Sequence, residues 1–435
     1  MKQNEFKKRR HLLMQQIGTG NIAIIASASS AVRNRDVHYP FRQDSDFYYL
    51  TGFNEADALA VFIPGREQGE YVLFCREYDA TKALWEGAHA GLEGATTHYG
   101  ADDAFPIDDL DEILPGMLEN KAKVFYPMGK NGELDHKLLD WINHIRKQSR
   151  SGVTAPGELV SLEHIVHEMR LFKSSEEIKL MKRAAEISAQ AHVRAMQYCQ
   201  PGVHEFEIEA ELIHQFMCSG LRAVAYPSIV AGGKNACVLH YTENADKLRK
   251  GDLLLIDAGA ECDHYAADIT RTFPVSGKFT EPQRLLYQLV LDAQEAALAE
   301  IAPGKAWNKA HEASVEVLTK GLVELGLLKG RVKKLIKEEK YKQFYMHRIG
   351  HWLGMDVHDV GDYKIKDEWR LLEPGMVLTV EPGLYVAADC QTVDKQWRGI
   401  GIRIEDDVLV TADGYEILTA SVPKTVEAIE AVMRS

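Results

Sequence analysis

The chain has 435 residues, 46% hydrophobic and 26% charged, a balance that suits a globular protein long enough for two domains with a substantial core. Its net charge of −13 argues against a nucleic-acid binder, which needs clustered cations against phosphate. No window approaches 18 uninterrupted apolar residues, so no membrane span is expected, and six scattered cysteines without a CxxC pair fit small buried hydrophobes in a reducing cytosol.

The basic cluster KKRR at 7–10 leads into an apolar stretch and invites a signal-peptide reading. Gln15, Gln16, Thr19 and Asn21 interrupt the apolar core such a segment requires, and residues 21–26 read instead as a first strand. Apolar runs at 59–63, 71–74 and 123–126 alternate with helical stretches such as 135–148, the pattern of an α/β unit. SRSGVTAPGE at 149–158 reads as a linker. A long helix follows: Ser174 and Glu177 have capping-box spacing, and Ile178, Met181, Ala185, Ile187 and Ala191 recur at helical intervals until Pro201–Gly202. Beyond it lies a larger unit mixing helices, short strands and hairpins. The run RVKKLIKEEKYK at 331–342 reads as a solvated helix face.

Within this larger unit, LLLIDAGAECDHYAADITRTF (253–273) aims two acids out of apolar structure. A hairpin centred on Cys262 and Asp263 would set Asp257 opposite Asp268 with Cβ atoms about 5 Å apart, which is destabilising unless a cation or a shared proton lies between them. Three further segments carry polar residues at strand-like positions. HRIGHWLGMDVHDVG (347–361) holds His347, His351 and His358, and EPGMVLTVEPGLY (373–385) ends an apolar run in Glu381. GIGIRIEDDVLV (399–410) alternates, with Ile400, Ile402 and Ile404 on one face and Gly401, Arg403 and Glu405 on the other. Singly, each is ordinary: a strand Glu beside an Arg is usually an ion pair, and a His in a Trp/Leu-rich loop is usually a hydrogen-bonded core residue.

Together they form four carboxylates and one or more imidazoles at the edges of apolar structure. Buried charge must be paired or bound to metal. One Arg cannot neutralise four acids, whereas two divalent cations can. Oxygen donors with one imidazole suit Mn, with Co or Zn as substitutes, and such a pair lowers the pKa of a shared water toward ~7 and polarises a carbonyl. That is an outfit for hydrolysis. Competing motifs fail: Arg348 stands where HExxH needs its Glu, there is no GxSxG elbow, P-loop or GxGxxG opening a helix, and Gly232–Gly233 is too little for a phosphate cradle.

With these residues in view, the chain resembles the aminopeptidase P (Xaa-Pro aminopeptidase) family of pita-bread metallopeptidases. The likeness runs through YPFRQDSDFYYLTGFNEADA (39–58), VHEMRLFKSSEEI (166–178), LHYTEN (239–244), LLLIDAG (253–259), DITRTFPVSGKFT (268–280), HWLGMDVHDVG (351–361), EPGMVLTVEPGLY and RGIGIRIEDD (398–407). The resemblance implies an α+β fold, with a creatinase-like N-terminal α/β domain over 1–170 and a catalytic domain of curved antiparallel sheets flanked by helices over 171–435. It puts metal ligands at Asp257, Asp268, His351, Glu381 and Glu405, with Asp268 and Glu405 bridging two ions, Asp257 on one, and His351 and Glu381 on the other. It gives catalytic roles to His240, a proton shuttle near the leaving group, to His347 and His358, which meet substrate carbonyls and the tetrahedral intermediate, and to Glu381 as general base. Tyr226, Tyr385 and Arg403 fall near a proline pocket, and Asp36 and Trp85 at positions that reach a neighbouring subunit's site in a dimer or tetramer. The match departs at 348–350, Arg-Ile-Gly here against Gly-Leu-Ser in the family.

The activity implied is release of the first residue from peptides with proline second, by attack of a hydroxide held between the metals. Proline there is a tertiary amide without an N–H, so a ring-shaped apolar pocket must replace that donor. A prolidase cleaving only Xaa-Pro dipeptides shares the ligands, and organophosphate hydrolysis could accompany either. Methionine aminopeptidase leaves the N-terminal domain unexplained, and creatinase lacks the metal acids. A peptide- or histone-binding module on this fold should have lost ligands.

Overall fold

In a computed structural model describing residues 1–434, the N-terminal unit (Met1–Arg170) is built on a six-stranded sheet. Its strands are β1 (Ile22–Ala26), β2 (Leu59–Phe62), β3 (Tyr71–Cys75), β4 (Asp103–Pro106), β5 (Lys123–Tyr126) and β6 (Glu158–Ser161), in the order β4-β3-β2-β1-β5-β6. Strands β1, β2 and β3 pair antiparallel, while β3–β4, β1–β5 and β5–β6 are parallel. The inner strands read IAIIA, LAVF and YVLFC and are buried along almost their whole length, as expected where both faces are covered. Helices α2 (Leu110–Leu118) and α3 (Gly132–Lys147) add Leu114, Leu118, Leu138, Trp141 and Ile142 to that core. The KKRR stretch lies inside the first helix, α1 (Gln3–Ile17).

The segment SRSGVTAPGE is not a boundary between units. It makes a 3₁₀ turn at Ser149–Ser151 and feeds β6, which closes one edge of the N-terminal sheet. Its Gly, Pro and small residues mark an irregular connection, and composition alone does not tell a connection within a unit from one between units. The second unit begins at Leu171.

In that unit α4 (Ser175–Tyr198) opens with the expected box: the Ser174 hydroxyl accepts the Glu177 N–H, and the Glu177 carboxylate accepts the Ser174 N–H at 2.8 Å. Helices α5 (Glu205–Cys218), α6 (Glu281–Leu298) and α7 (Asn308–Glu324) follow, and the basic run forms α8 (Val332–Lys337), which buries Leu335. One antiparallel sheet joins β7 (Ile229–Gly232), β8 (Leu253–Asp257) and, after the short strands β9 (Ala260–Cys262) and β10 (Tyr265–Ala266), β11 (Thr270–Pro274). Strand β12 (Val377–Val380) belongs to a second sheet, and β13 (Gly383–Val386) pairs with β14 (Ile400–Arg403). The second sheet is completed by β15 (Asp406–Thr411) and β16 (Gly414–Ile417). The stretch 399–410 is therefore two strands in different sheets, and both are buried on both faces, so its alternation does not separate core from solvent.

The hairpin register also differs from expectation. The turn is made by Asp263 and His264, with φ of +46° and +69°, which is the two-residue geometry matching strand twist. Asp257 therefore pairs with Thr270 rather than with Asp268. A slip of two residues keeps every side chain on its face, so Asp268 remains on the face of Asp257 as a diagonal neighbour.

Behind the sheet edge, Arg271 and Asp406 are fully buried and joined at 2.6 Å, and the carboxylate also meets Lys424 at 2.7 Å, the Thr419 hydroxyl at 2.8 Å and Gln294 Nε2 at 3.1 Å. Removing one partner of such a pair strands the other charge in the core. Asp406→Ala is expected to lower unfolding stability by about 3–5 kcal/mol, read as a fall in the urea midpoint. A midpoint equal to wild type would show that the pair carries no structural weight.

Candidate active site

Strand β8 delivers Asp257 at its last residue, and β11 begins at the paired Thr270. The Thr270 carbonyl accepts the Glu405 N–H at 3.0 Å, drawing the start of β15 alongside, and the Thr270 hydroxyl donates to Glu405 Oε2 at 2.6 Å. Asp268, two residues earlier on the same face, has its N–H held by Asp407 at 3.1 Å. The backbone crosses tightly here: a Cβ on Gly259 would lie 1.7 Å from the Ala267 carbonyl oxygen, so only glycine fits.

The histidine segment carries no strand assignment, yet it runs antiparallel to β12. Glu381 N–H meets Ile349 O at 2.7 Å, Thr379 N–H meets His351 O at 2.9 Å, and Leu353 N–H meets Val377 O at 3.0 Å. This register puts His351 and Glu381 on one face. The two segments approach closely at 350, where a Cβ on Gly350 would sit 2.0 Å from the Thr379 carbonyl oxygen. His351 Nδ1 donates to the Trp352 carbonyl at 2.9 Å, which aims Nε2 at Asp268 (3.4 Å) and Glu381 (3.6 Å). Asp268, His351 and Glu405 each offer a ligand atom within 4.8 Å of one another.

The electrostatics fit a cation. Burial pushes Glu405 well above the carboxylate range, with Asp268, Glu381 and Asp257 adding to the effect. Burial likewise raises Asp257 against the opposing pull of Arg403, and lifts Glu381 to about 7 against His351 and Arg403. His351 is buried too, but Asp268 and Glu381 carry it up to about 9. Burial works against the charge of Asp268, and His351 outweighs it. One guanidinium, Arg403, pairs with Asp257 at 2.6 Å and cannot compensate the other three acids. Oxygen donors with one imidazole, crowded and short of positive charge, suit hard divalent cations.

The five residues open on a cavity of about 460 Å³. Its walls include the apolar side chains of Ile229, Leu239 and Val357, together with His240, His347 and His358. The ring of His358 packs edge-on to His351, with centroids 4.3 Å apart. Both nitrogens of His347 are engaged: Nδ1 donates to the Arg348 carbonyl at 2.8 Å, and Nε2 accepts from the Tyr385 hydroxyl at 2.9 Å. The Tyr226 hydroxyl spans Asp257 (2.6 Å) and Asp268. Tyr385 is 3% exposed and does not line the cavity; its hydroxyl accepts from Arg403 at 3.0 Å and fixes His347 from behind. Asp36 and Trp85 lie in the N-terminal unit at exposed positions, Trp85 with 86% of its surface free. Three supporting residues escaped the sequence reading. Thr270 shares the alternation of Asp268 and was legible in that parity, whereas Thr379 and Asp407 depend on pairings that no local pattern announces.

The profile described as metallopeptidase family M24 matches residues 179–412, and that of the aminopeptidase P N-terminal domain matches residues 6–126. The chain is 46% identical over 430 residues to an Xaa-Pro aminopeptidase of Escherichia coli, covering 99% of this chain and 97% of that protein. It is 43% identical to one from Haemophilus influenzae with the same coverage. Among solved structures, the Pseudomonas aeruginosa aminopeptidase PepP superposes with a TM-score of 0.99 at 57% identity, over 100% of this chain and 98% of that one. A zinc-substituted E. coli aminopeptidase P in complex with product superposes with a TM-score of 0.97 at 46% identity, over 100% and 98%. The pita-bread architecture with its creatinase-type N-terminal half is thus the fold of this molecule, and the chain belongs to metallopeptidase family M24.

Proposed function

We propose that the chain is an Xaa-Pro aminopeptidase that releases the first residue from peptides with proline in the second position. The observation that carries this is the convergence of Asp257, Asp268, His351, Glu381 and Glu405 on one apolar-walled cavity. The full-length relatives named for that activity support the reading. The five side chains would hold two divalent ions, manganese first, with cobalt or zinc as substitutes: Asp268 and Glu405 would serve both, Asp257 one, and His351 and Glu381 the other. When bound, such a pair activates a water for attack and polarises the carbonyl of the first residue.

The chain's own residues supply the rest. Glu381, at the cavity wall 3.6 Å from His351, is suited to accept the nucleophile's proton. His358 lies beside His351 at the cavity wall and is positioned to donate to the developing oxyanion. His240, exposed at the same wall, is assigned the proton for the departing proline nitrogen. Ile229, Leu239 and Val357 offer the surface that a ring without an N–H requires. His347 is fixed by Tyr385, and Tyr385 by Arg403, so this line serves as a rigid wall. Asp36 and Trp85 are assigned to the site of a neighbouring copy in a homo-oligomer; an indole this exposed in one chain is what such an interface covers.

Two outcomes test the reading. Asp268→Ala and Glu405→Ala are each expected to lose bound metal and at least about a hundredfold in kcat/KM on Xaa-Pro-Yaa tripeptides. Full activity without metal would overturn it, and hydrolysis confined to Xaa-Pro dipeptides would make the enzyme a prolidase. Metal loading also has a proton signature. The metal-free protein keeps His351 protonated below its pKa of about 9, so a cation taking Nε2 at pH 7.5 must expel that proton. Calorimetric titration with manganese in buffers of different ionisation enthalpy should register about one proton released per chain or more. A heat independent of buffer would remove His351 from the ligand set.

A further inference from the structure

The cavity wall holds two guanidinium groups of opposite character. Arg403 is buried and fully engaged by Asp257, Tyr385 and Thr270. Arg348 is exposed and forms no ion pair among the described residues; its guanidinium carbon lies 5.4 Å from the centre of the Trp369 ring. The same ring carries a second cation, Lys364, with Nζ at 4.7 Å and likewise without a carboxylate partner. Lys364 and Trp369 are cross-strand neighbours in a two-stranded hairpin, so the ring and its cation come as a unit. An indole face restrains a guanidinium without neutralising it, which leaves full charge and several N–H donors on a residue that lines the cavity.

We propose that Arg348, steadied by Trp369, is a specificity residue that receives the terminal carboxylate of a short substrate, so that the preferred peptides are tripeptides of the form Xaa-Pro-Yaa with a free C-terminus. The inference rests on the Xaa-Pro aminopeptidase reading and narrows its substrate class. An aminopeptidase binds one residue on the amino side of the cleaved bond and the rest of the peptide on the other. The free amine is itself cationic and is repelled by a guanidinium, so an unpaired Arg at the wall matches the carboxyl side. Reach agrees: two residues separate the cleaved carbonyl from a tripeptide's carboxylate, at most about 7 Å of extended chain. Three residues separate Arg348 from His351, at most about 11 Å, before the side chain spans part of the gap. A planar fork of donors is the natural bidentate partner for such a carboxylate.

The test compares kcat and KM for one Xaa-Pro-Yaa tripeptide and its C-terminal amide in wild type, Arg348→Gln and Arg348→Lys. Wild type should favour the free acid by about tenfold in kcat/KM, expressed mainly in KM, as befits one charge-assisted contact. Arg348→Gln should bring the acid-to-amide ratio close to one, and Arg348→Lys should restore part of it. Equal losses on acid and amide, or a wild type indifferent to the two, would overturn the assignment while leaving the aminopeptidase reading intact. A wild type that cleaves neither peptide would overturn that reading, and the inference with it.

Discussion

Four carboxylates from three stretches of chain crowd one buried place, and no arrangement of protein cations there compensates them. Burial, with the neighbouring acids adding to it, pushes Asp257, Glu381 and Glu405 toward their neutral forms. The fold nonetheless spends its tightest backbone contacts on bringing them together, at Gly259 against Ala267 and at Gly350 against Thr379. Such convergence is stable as a charged cluster only with positive charge in its midst. The surrounding framework follows from that requirement: paired strands, hydrogen bonds that aim the His351 and Glu405 side chains, and apolar side chains along part of the cavity wall.

The triplet Glu405, Asp406 and Asp407 shows how finely the burden is divided. Glu405 turns into the cavity, where Thr270 holds it. Asp406 faces away and is matched by Arg271 and Lys424, which keep its carboxyl down at about 2 against the push of burial. Asp407 caps the Asp268 N–H, and burial raises it well above the ordinary range. Of these three successive acids the outer two are pushed up and the middle one is held down, because alternation sets Asp406 on the opposite face from its neighbours. Arg271, whose guanidinium also binds the Glu405 carbonyl at 2.6 Å, ties the structural pair to the site.

Much of this was legible in the sequence. Parity along the strands survives register errors of two residues, and so the acids were placed on a common face even though the turn lies at Asp263–His264 rather than one residue earlier. The capping box at Ser174 and the apolar strands of the N-terminal sheet were equally local, and equally readable. What stayed hidden was long-range. The pairing of residues 349–353 with β12 joins segments without strand periodicity, and the role of Gly350 exists only within that pairing. The resemblance put Tyr385 near a proline pocket, yet its hydroxyl is spent behind His347. Arg348 drew notice as a missing glutamate and as a departure from the family pattern, and its meeting with Trp369 depends on a hairpin some twenty residues on.

The decisive measurement is anomalous diffraction from crystals grown with manganese. Two peaks about 3.5–4 Å apart, enclosed by the carboxylates of Asp257, Asp268, Glu381 and Glu405 with His351 Nε2 on one of them, are the result this account predicts. A manganese-soaked crystal with no peak in that space, or with Asp257 and Glu405 turned away from each other around it, would contradict the claim that cations make the cluster possible.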